Sequence, residues 1–233
     1  MDHRIKSTNP FQFNRDNRQL IQMNHAMDQH CIQYCGIHFI VYRHVFSPLL
    51  CTAWKTFTPR LLQEVSEGTD FLEIGCGCGI TGLYLHLKKT FRSLFLTDIS
   101  LDAIRNTAEN IKRLGIRNTT VMQSDVFDAL PAHLRFDTIY WNPPWCLIDD
   151  AYIYQDDLER GTFNPGYRYL EKYIQGVKQF LKPQGRIFLG FGNSGDDELL
   201  EKIVRNAGYH LHKLVQQQKE GHPDVEFILF ELL

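Results

Sequence analysis

The chain has 233 residues, of which 43 % are hydrophobic and 22 % charged, and its formal net charge is −2 at pH 7. That length supports one sizeable buried core, and so ordinary a composition excludes a fibrous or low-complexity chain. The small net charge excludes an overall basic field, so a nucleic acid would have to be met through a local patch.

No stretch reads as membrane-spanning. The longest apolar run near the start, 37–54, is broken by Arg43, His44, Pro48 and Thr52. Residues 1–17 are polar and lack the apolar centre of a secretory signal. Cys31, Cys35, Cys51, Cys76, Cys78 and Cys146 match no zinc spacing, and scattered thiols without export imply a reducing, cytoplasmic setting. His3, His25, His30, His38 and His44 crowd the first part of the chain without ligand spacing, and no metal is assigned.

In chain order, residues 1–35 read as an N-terminal arm and 36–233 as one domain. The arm is irregular or carries a short helix over 19–29. Its Arg4, Lys6, Arg15 and Arg18, with Phe11 and Phe13, could track a nucleic-acid backbone and stack on bases. A disordered polar tail is the alternative. Stretches 32–34 and 37–42 predict a hairpin turning at Gly36, and Pro48 opens a helix through Val65.

From Thr69 strands and helices alternate. Strands are predicted over 70–74, 93–97, 119–123, 136–141 and 186–191. Helices are predicted over 80–89, from Ser100 to Gly115, over 170–181, ended by Pro183-Gln184-Gly185, and over 196–207. Ser100 is a favourable N-cap, and Leu101, Ile104, Ala108 and Ile111 fall at helical spacing. A polar and aromatic loop occupies 146–167, and a strand pair over 210–215 and 225–231 closes the chain. The alternation predicts an α/β fold, a doubly wound, mostly parallel seven-stranded sheet with its ligand at the strands' carboxyl ends.

The first such strand runs into Glu73-Ile74-Gly75-Cys76-Gly77-Cys78-Gly79. Gly75, Gly77 and Gly79 read as GxGxG, whereas Gly77, Gly79 and Gly82 read as the dinucleotide GxGxxG. The strand ends at Ile74, which favours the register from Gly75. Glu73, acidic just before the loop, favours a cationic ligand over a pyrophosphate. Asp98 ends the next strand, where a carboxylate can accept both hydroxyls of a ribose. The alternative is that Asp98 only assists the following helix, a role Ser100 already fills. Asp125 is a candidate for an adenine amino group, with Val126 against the ring, or is a simple turn residue.

The fourth strand ends in Asn142-Pro143-Pro144-Trp145. An amide or base-amine nitrogen has a delocalised lone pair and is a poor nucleophile. The Asn142 side-chain oxygen and the Pro143 carbonyl could both accept its N–H bonds and aim the lone pair at an electrophile. Proline fixes φ and brings no N–H, so Pro143 and Pro144 hold the carbonyls rigidly. Trp145 offers a flat face to a planar group. A plain Pro-Pro turn is the competing reading.

Together these segments resemble the class I S-adenosylmethionine-dependent methyltransferases, in their amino-methylating branch. Residues 73–79 resemble the cofactor motif, 97–100 the ribose motif, 123–127 the adenine-side motif, and 136–145 the catalytic strand with its (D/N)PP(Y/F/W) end. The stretch 36–48 is similar to the segment before the cofactor motif in release-factor glutamine methyltransferases. The resemblance implies a Rossmann-like methyltransferase using S-adenosyl-L-methionine. Glu73, Gly75, Cys76, Gly77, Cys78, Gly79, Asp98, Asp125, Val126 and Asn142 would face the cofactor, and Asn142, Pro143, Pro144 and Trp145 would carry the transfer. A protein glutamine amide is the first expected substrate. An exocyclic amine of an RNA or DNA base is the second, and a non-catalytic cofactor-binding partner module the third. Asp149, Asp150, Asp156, Asp157 and Glu159, in the loop after Trp145, are expected to overhang the pocket as a lid that repels phosphates, or else to point away as a solvated loop.

Overall fold

The computed structural model describes residues 10–233, with side chains from residue 17 onward. The expected nucleic-acid contacts at Arg4, Lys6, Phe11, Phe13 and Arg15 therefore lie outside the described residues and side chains. A helix α1 (Pro10–His25) precedes a hairpin of β1 (His30–Tyr34) and β2 (Ile37–Val41), turning through Cys35 and Gly36. Then follow α2 (Ala53–Glu64), β3 (Asp70–Ile74), α3 (Ile80–Lys89), β4 (Ser93–Asp98), α4 (Leu101–Leu114), β5 (Thr119–Gln123) and β6 (Phe136–Trp141).

After β6 come β7 (Cys146–Ile148), α5 (Asp157–Arg160), β8 (Phe163–Pro165), α6 (Arg168–Gly176), β9 (Leu181–Gly192), α7 (Asp197–Asn206), β10 (Leu211–Lys219) and β11 (His222–Leu232). The main sheet has seven strands in the order β10-β11-β9-β6-β3-β4-β5. β9, β6, β3, β4 and β5 run parallel, while β11 pairs antiparallel with both β9 and β10. β3, β4 and β6 bury side chains on both faces, as their apolar runs require, while β5, at the sheet edge, has no fully buried residue. One face packs Phe57, Leu83, Leu85 and Ala103 from α2, α3 and α4; the other packs Leu170, Tyr173, Ile174 and Leu200 from α6 and α7. The doubly wound α/β architecture is as the sequence implies.

Four details differ from the sequence reading. α1 ends at His25 rather than at residue 29, and α2 starts at Ala53 rather than at Pro48. Pro48 instead uses its carbonyl to accept the Trp54 indole N–H at 2.9 Å, which anchors the approach to the helix. The helix expected over 170–181 stops at Gly176 and finishes as a 3₁₀ turn, Val177–Phe180. Residues 182–185 then bulge out of β9, whose pairing with β6 jumps from Phe136↔Leu181 to Thr138↔Arg186.

The fourth difference is the stretch 146–167, which is not an irregular loop. β7 and β8 pair in parallel, and α5 lies between them with Asp156 as its N-cap, accepting from the Leu158 and Glu159 amides. Cys146, Leu158 and Phe163 bury themselves against Ile21 of α1. Charge counting along the chain conceals this small core, because its fourth member comes from a helix more than a hundred residues earlier.

At the amino end of the central strands, Asp70 accepts from Arg92 at 2.6 Å and 2.9 Å and pairs with Lys182. The Arg92 guanidinium, then the Lys182 and Ser93 donors, hold the Asp70 carboxyl well below the usual carboxylate range. A depressed native pKa contributes stability that is present above the unfolded value, about 3.9, and is lost as pH falls through that region. Wild-type protein should therefore lose melting temperature steadily below about pH 4.5, and Asp70→Asn should flatten that slope while lowering the plateau at pH 7. Thermal melts across pH 3–7 check this; parallel curves for the two proteins would contradict it.

Candidate active site

The carboxyl ends of β3, β4 and β6 open into one cavity of about 500 Å³, within the range of small-molecule sites. The loop after β3 forms its floor. Gly75 has φ +63°, and a Cβ there would stand 2.7 Å from Trp141 Nε1, so this turn requires glycine twice over. Gly79 begins α3, and Cys76 and Cys78 turn their thiols into the core, so both present backbone to the cavity. Cys76 Sγ meets the Thr107 hydroxyl at 3.6 Å.

Two acids stand behind that loop. Glu73 is 5 % exposed and accepts the Gly82 amide at 2.9 Å. Burial pushes its carboxyl up to about 8, against the pull of that N–H and with Asp98 adding to the rise. Asp98 accepts the Gly77 amide on one oxygen at 2.8 Å and the Ser100 amide on the other at 2.9 Å. Burial raises its pKa as well, the neighbouring backbone amides oppose the rise, and Asp157 adds to it. Each carboxylate oxygen accepts two bonds, so Asp98 keeps one acceptor site per oxygen for a ligand.

Ser100 does not take the capping role expected of it. Ser100 stands at the N-cap of α4, but its side chain makes no cap bond. Asp98 makes the bond to the helix start instead, and Ser100 Oγ is buried without a partner while its residue lines the cavity. Asp98 thus serves the helix and faces the cavity at once. Asp125 lines the cavity but is paired with Lys172 at 3.2 Å, a lysine that also holds Asp128. Val126 lies beside it, buried, at φ +52°.

Across the cavity stands the tetrapeptide. Asn142 Oδ1 is buried with no hydrogen-bond partner. Asn164 Nδ2 donates to the Pro144 carbonyl at 3.2 Å, and the Tyr167 hydroxyl donates to the Trp145 carbonyl at 2.7 Å. Among the described residues that leaves the Pro143 carbonyl with no donor. The Trp145 indole donates to Ser194 Oγ at 2.8 Å and packs beside Phe191 and Phe227. A Cβ at Gly190 would stand 2.7 Å from Asn142 Oδ1 and 2.6 Å from the Phe57 ring, so this glycine lets β9 pass under the amide. Gly190→Ala should cost about 1–3 kcal/mol in stability through overpacking. By shifting Asn142, it should also lower kcat at least about tenfold with little change in cofactor affinity. Unaltered turnover in a folded variant would remove this constraint.

The outer wall escaped the sequence reading. α1 places Asn17, Leu20 and Met23 on the cavity. Asn24 clamps the helix down, accepting the Ser47 amide at 2.7 Å and donating to the carbonyls of Arg43 and Val45. Arg18 lies over the Tyr152 and Phe163 rings, and His25 meets Asp156 at 2.9 Å. Among the described side chains of α1, Ile21 and Asn24 are buried while Met23 is 54 % exposed, so no apolar stripe at helical spacing announced a packed helix. The acidic lid is also corrected. Asp149 and Asp150 are exposed and off the cavity wall, Asp156 caps α5, and Glu159 binds the Tyr152 hydroxyl and the Gln155 amide. Asp157 alone of the five acids lines the cavity, alongside Arg160. Asp149, Asp156 and Glu159 accept bonds within the segment, so most of this charge is turned away from the cavity wall.

No group of three or more metal-ligating side chains occurs among the described residues. No helix among them is long and apolar enough to cross a membrane.

Residues 53–155 match the methyltransferase small domain family. The release factor glutamine methyltransferase of Bordetella pertussis is 32 % identical over 143 residues, 59 % of this chain and 52 % of that protein. A bifunctional methyltransferase of Rickettsia felis is 28 % identical over 185 residues, 74 % of this chain and 33 % of that protein. The chain thus spans between a third and about half of these curated relatives. Among solved structures, a methyltransferase from Pyrococcus furiosus superposes with a TM-score of 0.62 at 16 % identity, covering 93 % of this chain and 98 % of that one. The M. jannaschii tRNA m1G37 methyltransferase superposes at 0.61 and 16 % identity, covering 88 % and 56 %; these likenesses speak for the fold.

Proposed function

We propose that this S-adenosylmethionine-dependent methyltransferase methylates a planar nitrogen, and that the nitrogen is a protein glutamine amide. The observation that carries the reading is the pair of unfilled acceptors on one rigid turn, Asn142 Oδ1 and the Pro143 carbonyl. A primary amide has two N–H bonds to give them. Held by both, its nitrogen is fixed and its lone pair is directed across the cavity.

The residues opposite suit the cofactor. Glu73 is a buried carboxyl and Asp98 a half-buried one, both with raised pKa, and a cation beside them would restore their charged forms. The remaining acceptor sites of Asp98 suit ribose hydroxyls, Ser100 Oγ is a spare hydroxyl on the same side, and Val126 with Asp125 would meet an adenine. Gly75, Cys76, Gly77 and Cys78 would follow its length with backbone alone, whereas Gly79 stands off the cavity wall, against Leu83 and Thr107. Bound there, S-adenosylmethionine supplies an electrophilic methyl on a sulfonium. This chain's part is placement. Orientation alone is worth up to roughly 7–11 kcal/mol in favourable cases. No strong base is required beforehand, because the nitrogen's proton becomes acidic only as the new N–C bond forms.

The glutamine amide rests on the relatives named as release factor glutamine methyltransferases. A base amine of a nucleic acid is the second reading, favoured by Lys219 and His222 on the cavity wall and by the withdrawal of four of the five insert acids from it. Methyl-labelled cofactor incubated with the protein and a cell lysate, followed by separate protease and nuclease digestion, decides. Protease-released label supports the amide, and nuclease-released label replaces it with the base amine.

A further inference from the structure

Beyond the Asn142 side-chain NH₂, the tetrapeptide is poor in side-chain hydrogen-bond donors where the substrate nitrogen would lie. Pro143 and Pro144 have no N–H, and the Trp145 indole is already given to Ser194. An amide brings an oxygen as well as a nitrogen. Once buried, that oxygen needs a donor, because an unpaired buried acceptor is costly.

One hydroxyl beside the tetrapeptide has nothing to bond. Thr162 is 8 % exposed, lines the same cavity, and its Oγ1 has no partner. Its backbone is held firmly. The Thr162 amide donates to the Glu159 carbonyl at 3.1 Å, closing α5. The following residue, Phe163, pairs with Cys146, which places Thr162 one register step back, alongside Trp145. Asn164, two residues on, ties the same strand to the Pro144 carbonyl. The insert after the tetrapeptide is therefore built to carry a fixed hydroxyl to its edge.

We infer that Thr162 donates a hydrogen bond to the carbonyl oxygen on the carbon that bears the methylated nitrogen, and so selects amides over simple amines. The inference rests on the planar-nitrogen reading above and extends it to specificity. Asn142 and Pro143 read the nitrogen; Thr162 reads its neighbour.

The test uses two small probes against the full chain saturated with S-adenosylhomocysteine. Benzamide carries a planar NH₂ next to a carbonyl, and aniline carries a planar NH₂ without one. Affinities come from ligand-observed NMR titration of the wild type, Thr162→Val, Thr162→Ser and Asn142→Ala. Thr162→Val should weaken benzamide about fivefold and leave aniline unchanged, and Thr162→Ser should restore benzamide. Asn142→Ala should weaken both probes. S-adenosylhomocysteine affinity, unchanged throughout, certifies the fold. If Thr162→Val leaves benzamide binding intact, or weakens both probes alike, while Asn142→Ala weakens both, the role of Thr162 is overturned and the planar-nitrogen reading stands. If Asn142→Ala affects neither probe, that reading fails and takes the inference with it.

Discussion

Asn142→Ala should reduce methyl transfer by about 10²–10³-fold in kcat while leaving S-adenosylhomocysteine affinity within about twofold of wild type. The asymmetry follows from where the amide sits. Its Oδ1 has no protein partner to lose, so truncation breaks no internal bond of the fold. The cofactor loop stands on a different strand and is held by Glu73 and Asp98. What vanishes is one of two acceptors that orient the nucleophile. Asn142→Asp keeps an acceptor at that position and should retain more transfer than Asn142→Ala. Stopped-flow or single-turnover rates with parallel calorimetry measure both quantities; a variant that turns over normally would withdraw Asn142 from the reaction.

Asp98→Ala should have the opposite signature, raising the Kd for S-adenosylhomocysteine about 100-fold. A hydrogen bond to a charged group is worth about 1.5–3 kcal/mol, and about 2.7 kcal/mol corresponds to that factor. Asp98 also holds the Gly77 and Ser100 amides, so the variant loosens the turn that must fit the ligand. Asp98→Asn keeps one carbonyl acceptor and should fall between the two. Calorimetric titration settles the matter, and an affinity equal to wild type would reduce Asp98 to a helix-start residue.

The frame of the molecule was readable because its signals are local. β3, β4 and β6 are short, largely apolar runs ending in Ile74, Asp98 and Trp141, and β5, ending in Gln123, is marked off by Asn118 and Ser124. The site residues named from the sequence sit at those ends, and one cavity gathers Glu73, Asp98, Asp125, Val126 and residues 142–145 with the glycine turn. The remainder was not legible because its causes are distant in sequence. Asp156, Asp157 and Glu159 read as a charged loop until Ile21 and Phe46 are known to cover it. Ser100 has the right type and place for a cap, and only the geometry of Asp98 takes that work away from it. Thr162 has no motif around it; its orphan hydroxyl exists only because β7 and β8 pair. Pro183-Gln184-Gly185 carries turn residues and does bend the chain, but as a bulge in β9 rather than as a helix stop.

The most direct test of the central claim is to locate the transferred group. Cofactor carrying a trideuterated methyl, incubated with the protein and a proteome, followed by tandem mass spectrometry, reports the atom that receives it. The account predicts the trideuteromethyl on a side-chain amide nitrogen of glutamine, absent when Asn142→Ala replaces the wild type. A label on carbon, oxygen or sulfur, or one that persists undiminished in Asn142→Ala, would contradict it.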